Sequence, residues 1–426
     1  MKVQLAYGRN HLTVELPADR TTVIEPSHTP GLADERGAVL AALEQPVAAP
    51  PLRDWLKQDA RVCIVFTDIT RATPNERLIP WLLENLSDIP PQNITLLNAL
   101  GGHRPNTRAE LETMLTPKVV ERYRVLNHEA ENLDALIPLG TTRDGTPALI
   151  SRTFVEADVR IVTGFIEPHF FAGFSGGPKG IMPGVAGLKT IVSNHGSTNI
   201  GDPNSTFGVT RGNLIWEEMR DIALRAGPSF LLNVALNNER KITGVFAGDL
   251  IAAHRLGCEF VRKSAMQQVD APFEIVITTN SGYPLDQNLY QGVKGMSAGA
   301  RILKPGGTLI LACECRDGVP ANSSFDNILR AASSPEEILA RLASPGSALP
   351  EQWQAQIQAL IQRRANVLLY SALPPDTVRA AHLTPCPDIG AAVEELLEQN
   401  PKARTAVLPQ GPLTIPYLAA EPGLAG

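Results

Sequence analysis

The chain has 426 residues, of which 43% are hydrophobic and 19% are charged, so it carries enough apolar material for large cores and is not disordered as a whole. At about 150 residues per domain, this length predicts two or three domains. The 44 Asp and Glu residues outnumber the 38 Lys and Arg residues, and the resulting net charge of −6 argues against a general nucleic-acid-binding protein.

The apolar segments are all shorter than the roughly 20 residues that cross a bilayer, so we expect no membrane anchor. Residues 1–17 alternate apolar and polar side chains around Gly8-Arg9-Asn10, which predicts a strand, a turn and a strand where a signal peptide would show a basic start and an apolar block. We therefore expect a cytoplasmic protein. The five cysteines are scattered, which argues against a disulfide scaffold or a four-cysteine zinc site.

Short apolar runs alternate with segments of helical periodicity, which favours an α/β fold with mostly parallel sheets. The predicted strands, in chain order, are residues 62–67, 94–97, 159–163, 190–193, 230–235, 242–246, 275–279, 308–311, 367–370 and 405–408. Helices are predicted to begin at Pro74-Asn75-Glu76 and to cover residues 213–226, 251–266 and 335–342.

A domain boundary is expected near residue 270, where a helical run ends and a new strand, helix and strand unit begins. We predict two α/β domains, an N-terminal one over residues 1–268 and a C-terminal one over residues 269–409. Residues 410–426 are rich in Pro, Gly and Ala and are predicted to form a tail that returns to the N-terminal domain.

Three histidines follow predicted strand ends, namely His103, His169 and His195. Ligands of open α/β sheets bind outside the carboxyl ends of the strands, so these imidazoles are expected to converge on one site. The alternative for each histidine alone is a turn in which the imidazole satisfies the local backbone.

A glycine-rich stretch, Phe174-Ser175-Gly176-Gly177-Pro178-Lys179-Gly180, contains a single lysine. Its glycines would let backbone amides approach an anion, and Lys179 could add a charge or act as a nucleophile. The stretch does not match the P-loop pattern GxxxxGK[ST]. Taken alone, such a stretch is more often a tight turn than a binding site.

Two further polar groups stand out on helices or strand ends. Asp68, Thr70 and Arg71 follow the strand predicted at 62–67, where the Arg71 guanidinium suits a carboxylate; a helix cap with a surface ion pair is the alternative. Spacings of three and four residues place Tyr290, Gln291 and Lys294 on nearly one face of a predicted helix. This face could bind an anion, or it could be an ordinary solvated face. These features alone indicate a two-domain α/β enzyme for a small anionic substrate, with imidazole acid-base chemistry.

Four motifs combine these residues, and together they resemble the nickel-pincer lactate racemase family. The motifs are Asp68-x-x-Arg71, Gly102-His103-Arg104-Pro105, the block from Glu167-Pro168-His169 through Gly176-Gly177-x-Lys179 to Asn194-His195, and Tyr290-Gln291-x-x-Lys294. Asn233 and His254 also lie in segments that look like family landmarks, without an assigned role. The resemblance covers nearly the whole chain.

The resemblance implies a cofactor, pyridinium-3,5-bisthiocarboxylic acid mononucleotide, which holds nickel through two sulfurs and a ring carbon. Lys179 matches the lysine that carries this group covalently, and His195 matches the nickel ligand; square-planar nickel accepts such soft donors together with an imidazole. Asp68, Thr70 and the Gly176-Gly177 pair are expected on the cofactor side, with Asp68 near the ribose or phosphate. Cofactor-biosynthesis proteins would be partners for loading.

The resemblance also implies racemisation or epimerisation of a 2-hydroxy acid, with lactate as the first substrate to consider. His103 and His169 match the acid-base histidines of a proton-coupled hydride transfer that passes through a 2-keto acid. Arg71 and Lys294 would hold the substrate carboxylate, while Tyr290 and Gln291 would hydrogen-bond to the substrate or the cofactor region. The family architecture places the active site in the cleft between the two domains.

Two other enzyme classes and one binding function stay open from the residues alone. An NAD-dependent 2-hydroxy-acid dehydrogenase would share the arginine and histidine chemistry, but no G-x-G-x-x-G follows a predicted strand. A zinc hydrolase could use His103, His169 and His195 as ligands, although no H-E-x-x-H is present. A non-enzymatic anion-binding protein is the third alternative.

Overall fold

The structure is a computed structural model that describes residues 1–344 and 349–419. Its strands are β1 Lys2–Tyr7, β2 Asn10–Glu15, β3 Thr21–Val23, β4 Val62–Thr67, β5 Ile94–Ala99, β6 Arg124–Asn127, β7 Leu136–Thr141, β8 Pro147–Ser151, β9 Val159–Phe165, β10 Pro168–His169, β11 Gly173–Phe174, β12 Phe230–Leu236, β13 Ile242–Asp249, β14 Met266–Val269, β15 Phe273–Thr279, β16 Leu303–Ala312, β17 Asn366–Tyr370, β18 Thr384–Pro385, β19 Thr405–Leu408 and β20 Ile415–Leu418.

The α-helices are α1 Glu35–Glu44, α2 Asn75–Asn85, α3 Arg108–Leu115, α4 Pro117–Arg122, α5 Arg152–Val155, α6 Leu188–Asn194, α7 Ser197–Ile200, α8 Leu214–Arg225, α9 Ala252–Ala265, α10 Leu289–Ala300, α11 Ser324–Ala331, α12 Pro335–Leu342, α13 Gln352–Gln362, α14 Pro375–Ala380 and α15 Ile389–Gln399. No helix within the described residues is long and apolar enough to cross a membrane.

The chain forms two compact units that interleave along the sequence. Unit 1 contains residues 1–27, 196–203 and those from 263 onward, and unit 2 contains residues 28–195 and 204–262. The predicted domains 1–268 and 269–409 stay predictions, since these units divide the chain at other points. Within unit 1, β14 pairs in parallel with β20, which lies in the predicted tail 410–426; residues 420–426 of that tail lie outside the described residues.

Unit 2 is built on a six-stranded sheet with the order β13-β12-β9-β4-β5-β6. All its pairs are parallel except β12 with β13. A large apolar core, which includes Ile64, Phe66, Leu82 and Phe230, is buried against the sheet. Strand β4 lies between β5 and β9, so the chain adds strands first on one side of β4 and then on the other. In open α/β sheets, such a change of direction leaves a ligand-binding crevice outside the carboxyl ends of the strands.

Unit 1 contains a second six-stranded sheet, ordered β18-β17-β16-β15-β19-β3, in which every pair is parallel. The antiparallel hairpin β1–β2 and helix α15 pack their apolar residues with this sheet in one core. The predicted α/β fold with mostly parallel sheets is confirmed, and so are the strand, turn and strand at the N-terminus.

One predicted strand is wrong. Residues 190–193 lie in helix α6, which begins after Gly187 and ends before His195. The β-branched sequence Thr190-Ile191-Val192 favours a strand locally. Contacts from the rest of unit 2 decide otherwise, because the Thr190 hydroxyl accepts a hydrogen bond from Leu149 N at 2.9 Å and donates one to Pro147 O at 2.9 Å.

A buried carboxylate joins three segments of unit 1. Asp286 has an exposed fraction of 0%, and its Oδ2 accepts hydrogen bonds from Gly8 N at 2.7 Å and from Glu314 N at 3.2 Å. Its backbone carbonyl accepts from Cys315 N at 2.9 Å and from the Cys313 thiol at 3.4 Å. Asp286 therefore ties the N-terminal hairpin to the loops that follow β15 and β16, and the two cysteines are buried parts of that packing.

We expect Asp286→Ala to lower the free energy of unfolding by about 2 kcal/mol or more, because the backbone amides of Gly8 and Glu314 lose their acceptor in the protein interior. Asp376→Ala is the matched control, since the Asp376 side chain is 98% exposed and pairs only with the nearby Arg379. Urea unfolding at neutral pH measures both variants. Equal stability of the two variants would contradict the role given to Asp286.

Candidate active site

Three neighbouring strands of unit 2 deliver polar side chains to one rim of the sheet. Asp68 follows β4 directly, His103 lies four residues after β5, and His169 lies four residues after β9. Because β4 pairs in parallel with both β5 and β9, the carboxyl ends of all three strands meet at the same edge. The prediction that His103 and His169 follow strand ends is confirmed, whereas His195 follows helix α6.

His103 forms a hydrogen-bonded pair with Asp68. The His103 Nδ1 lies 3.1 Å from Asp68 Oδ2, and the side chains are 45% and 3% exposed, respectively. Burial alone would raise the pKa of Asp68, but the hydrogen bond from His103 and the charge of Arg71 outweigh it and hold that pKa well below its usual value. The ionised Asp68 therefore accepts the Nδ1 proton, which leaves Nε2 on the opposite edge of the imidazole for proton transfer.

Thr70 and Arg71 complete the loop around Asp68. Thr70 N donates to Asp68 Oδ1 at 2.8 Å, while Arg71 Nε lies 3.9 Å from Asp68 Oδ2. The Arg71 side chain stays 33% exposed, so its guanidinium is accessible to solvent, and a guanidinium is a suitable partner for a carboxylate. In this structure Asp68 is thus engaged with protein groups; its predicted contact with a cofactor, like that of Thr70, stays a prediction.

Phe171 connects the other two histidines. Its ring lies 4.5 Å from the His169 ring and 5.0 Å from the His195 ring, edge-on to both. Ala172 N donates to His169 Nδ1 at 3.3 Å, at the long end of the hydrogen-bond range. The sequence analysis did not identify Phe171, because an aromatic residue beside a histidine carries no distinctive signal.

His195 is buried at the end of α6, with 4% of its surface exposed. Its pKa is lowered to about 3, first by burial and second by the positive charge of Lys179. His195 is therefore neutral at physiological pH, which is the form in which imidazole binds a metal ion. The roles of Lys179 and His195 toward a cofactor stay predictions.

The glycine-rich stretch is a tight turn that leads into a 3-10 helix, Gly177–Gly180. Gly176 and Gly177 have φ values of +75° and +53°, and a Cβ on either residue would clash with the side chain of Asn233 or of His254. Gly177 N donates to Asn233 Oδ1 at 2.8 Å, so this amide is already bonded within the protein. The predicted cofactor contacts of both glycines stay predictions.

The third predicted group lies on helix α10 of unit 1. Tyr290, Gln291 and Lys294 are partly exposed, whereas the intervening Gly292 and Val293 are buried, so the three polar residues lie on the accessible side of this helix. The Asn288 side chain caps the helix by accepting a hydrogen bond from Gln291 N at 3.0 Å. Their role in substrate binding stays a prediction.

A metal site made of protein ligands alone is not formed in the part of the chain that the structure describes. Among residues 1–344 and 349–419, no three His, Cys, Asp or Glu side chains are grouped so that they could hold a metal ion. His103, His169 and His195 therefore do not build the three-ligand zinc site of the hydrolase alternative.

Known sequences agree with the resemblance. The chain matches the lactate racemase N-terminal domain over residues 7–208 and the lactate racemase C-terminal domain over residues 268–415. It is 35% identical to the lactate racemase of Thermoanaerobacterium thermosaccharolyticum over 419 residues, covering 96% of this chain and 97% of that protein. It is also 35% identical to the lactate racemase of Lactiplantibacillus plantarum over 383 residues, covering 88% and 90%.

Solved structures extend the agreement to the fold. The apoprotein of the lactate racemase from Thermoanaerobacterium thermosaccharolyticum superposes with a TM-score of 0.91 at 34% identity, covering 98% of this chain and all of the other. A protein from Thermotoga maritima shares the fold at a TM-score of 0.66 and 20% identity, covering 92% and 99% of the two chains. The chain therefore belongs to the lactate racemase family and is an enzyme of the isomerase class.

Proposed function

We propose that this enzyme racemises or epimerises a 2-hydroxy acid. Lactate is the first substrate to test, because two similar proteins are named lactate racemases. The observation that carries the proposal is the order β9-β4-β5 in unit 2. The middle strand, β4, is followed by Arg71, a ligand for a carboxylate, while β9 and β5 are followed by His169 and His103. A substrate held through its carboxylate at Arg71 would thus have an imidazole base from each neighbouring strand.

Two bases suit a reaction that inverts one carbon. The two enantiomers of a 2-hydroxy acid, bound through the same carboxylate, present their hydroxyl groups in different directions, so each needs its own base. One histidine accepts the hydroxyl proton on its unprotonated ring nitrogen, and the other, in its protonated form, donates a proton to the product hydroxyl. Exchange with water then restores both protonation states.

Asp68 supports this chemistry at His103. Its carboxylate fixes the ring through Nδ1 and stabilises the imidazolium that forms when Nε2 takes up a proton. Its lowered pKa keeps Asp68 ionised throughout the physiological range, so the proton stays on the imidazole. Arg71 Nε lies 3.9 Å from the same Asp68 carboxylate, so its guanidinium can hold the negatively charged substrate close to the base.

The proposed cofactor is nickel bound to pyridinium-3,5-bisthiocarboxylic acid mononucleotide, and the residues of unit 2 fit it. A neutral, buried imidazole at His195 can serve as a metal ligand, and the positive charge of Lys179 adds to the effect of burial in lowering its pKa. Within the described residues no larger set of metal ligands is grouped, which fits a cofactor that brings most donors itself. The chemistry that this group supplies when bound is reversible acceptance of the hydride from the 2-carbon.

One further fact supports a dependence on a cofactor. The solved relative from Thermoanaerobacterium thermosaccharolyticum is an apoprotein, the term for a protein without its cofactor.

On α10 of unit 1, we propose Tyr290, Gln291 and Lys294 as substrate-binding residues. This part rests on the family motif that they match and on the accessible side of the helix that they share.

Loading with the cofactor is the decisive experiment. When the chain is produced together with the cofactor-making enzymes, peptide mass spectrometry should find a sulfur-containing mononucleotide on Lys179, with near-stoichiometric nickel. Lys179→Ala should lose the adduct, whereas Lys189→Ala, which changes an exposed lysine of α6, should keep it. An unmodified Lys179 without nickel, under conditions that load a known lactate racemase, would overturn the cofactor assignment.

The loaded enzyme should interconvert the two lactate enantiomers, and the two proposed bases should be separable from cofactor binding. We expect His103→Gln and His169→Gln each to lower kcat by about 100-fold or more, because each removes one acid-base group. Chiral chromatography measures the rate in both directions. Nickel and adduct contents should stay at the wild-type level; full activity in either variant would refute its role as a base.

Asp68→Asn tests the support of His103. The amide has nearly the same shape but cannot stabilise the imidazolium, so we expect kcat to fall by roughly 10- to 1,000-fold while the nickel content stays unchanged. Asp158→Asn is the matched control, because the Asp158 carboxylate is 50% exposed and pairs with Arg61. A rate for Asp68→Asn equal to that of the control would contradict the supporting role.

A further inference from the structure

Two polar residues of the unit 2 core converge on the turn that carries Lys179. Asn233 lies in the middle of β12 and His254 lies in the first turn of α9, with exposed fractions of 0% and 1%. A buried amide or imidazole is costly unless its hydrogen bonds are formed. Each residue forms one of its hydrogen bonds with residues 175–177, which explains why polar side chains occupy these core positions.

Asn233 holds the start of the 3-10 helix. Its Oδ1 accepts the hydrogen bond from Gly177 N at 2.8 Å, and its Nδ2 donates to Leu232 O at 3.1 Å. The same Oδ1 occupies the space that a Cβ on Gly176 would need. The amide therefore fixes both the direction of the Gly177 N–H and the left-handed conformation of Gly176.

His254 holds the other side of the turn. Its Nε2 lies 2.9 Å from Ser175 O and donates to it, since a carbonyl only accepts. Its ring fills the space beside Gly177 where a Cβ would lie, and the ring of Trp216 stacks on it at 6.4 Å. Burial lowers the pKa of His254 to about 4, so the imidazole stays neutral at the working pH.

The entry to the turn is fixed as well. Ser175 N donates to Glu167 O at 2.9 Å, and the Ser175 hydroxyl donates to Phe165 O at 2.9 Å. Lys179 N then donates to Gly176 O at 3.1 Å inside the 3-10 helix. The backbone of Lys179 is thus set directly by the conformation at Gly176 and Gly177.

We propose that Asn233 and His254 are positioning residues that clamp the turn of residues 175–177 and thereby hold the backbone from which the Lys179 side chain extends. This proposal deepens the function given above, since it rests on Lys179 as the attachment point of the cofactor. The clamp holds this backbone before any cofactor arrives, so its effect is measurable in the apoprotein.

Acetic anhydride labelling of Lys179 in the full-length apoprotein, followed by peptide mass spectrometry, tests the clamp without the cofactor. The exposed Lys189 is the internal reference. In Asn233→Ala and His254→Leu, the released turn should expose the amine and raise the labelling rate of Lys179 by about three-fold or more. His254→Gln keeps a donor for Ser175 O and should restore a rate near that of the wild type.

Val234→Ala is the matched control for a loss of stability alone. Val234 is the next residue of β12 and is fully buried in the apolar core, and successive side chains of a strand point to opposite faces of the sheet. The Val234→Ala variant should leave the labelling rate of Lys179 unchanged, even if its melting temperature falls as far as that of the Asn233→Ala variant. Unchanged labelling in both Asn233→Ala and His254→Leu, or an equal rise in Val234→Ala, would overturn the clamp.

Loading of the same variants separates the clamp from the proposed function. Faster labelling together with less adduct on Lys179 supports both. Faster labelling in the variants, with no adduct even in the wild type, supports the clamp and overturns the cofactor assignment. Wild-type adduct yields in all variants, with unchanged labelling, would overturn the clamp and leave the function standing.

Discussion

The parallel pairing of β4 with β5 on one side and β9 on the other is the constraint on which the proposed site depends. Parallel strands end at the same edge of a sheet, so residues that are far apart in the sequence meet there. Asp68 follows the middle strand, and His103 and His169 follow its neighbours. If one of these strands lay elsewhere in the order, Arg71, the proposed ligand of the substrate carboxylate, would lose a proposed base from one side.

Two buried ionisable residues of the candidate site, Asp68 and His195, differ in the protonation state that their surroundings favour. Asp68 is almost fully buried, yet it stays ionised because His103, Thr70 and Arg71 compensate for the lost water. His195 is buried, and the charge of Lys179 adds to the effect of burial in lowering its pKa, so it stays neutral. One environment therefore favours the charged form of an acid, and the other favours the neutral form of a base; these are the forms that proton transfer and metal binding require.

Sequence reasoning predicted most strands, because their apolar runs end at residues that break a strand. Residues 62–67 and 405–408 match β4 and β19 in full. It failed at residues 190–193, where β-branched side chains favour a strand but the contacts of Thr190 select a helix. The sequence placed Asn233 and His254 in segments that resemble the family. It did not indicate their proposed role, because the turn that they contact is distant in the sequence.

The sequence by itself determined the α/β class, the mostly parallel sheets and the chemical types of the candidate site residues, because periodicity and short motifs are local properties. Only the tertiary structure decided that Asp68 bonds to His103, that Phe171 lies between His169 and His195, and that Asn233 and His254 brace the turn before Lys179. These contacts join residues from different strands and helices. Strand order and burial set them, and no local pattern encodes either.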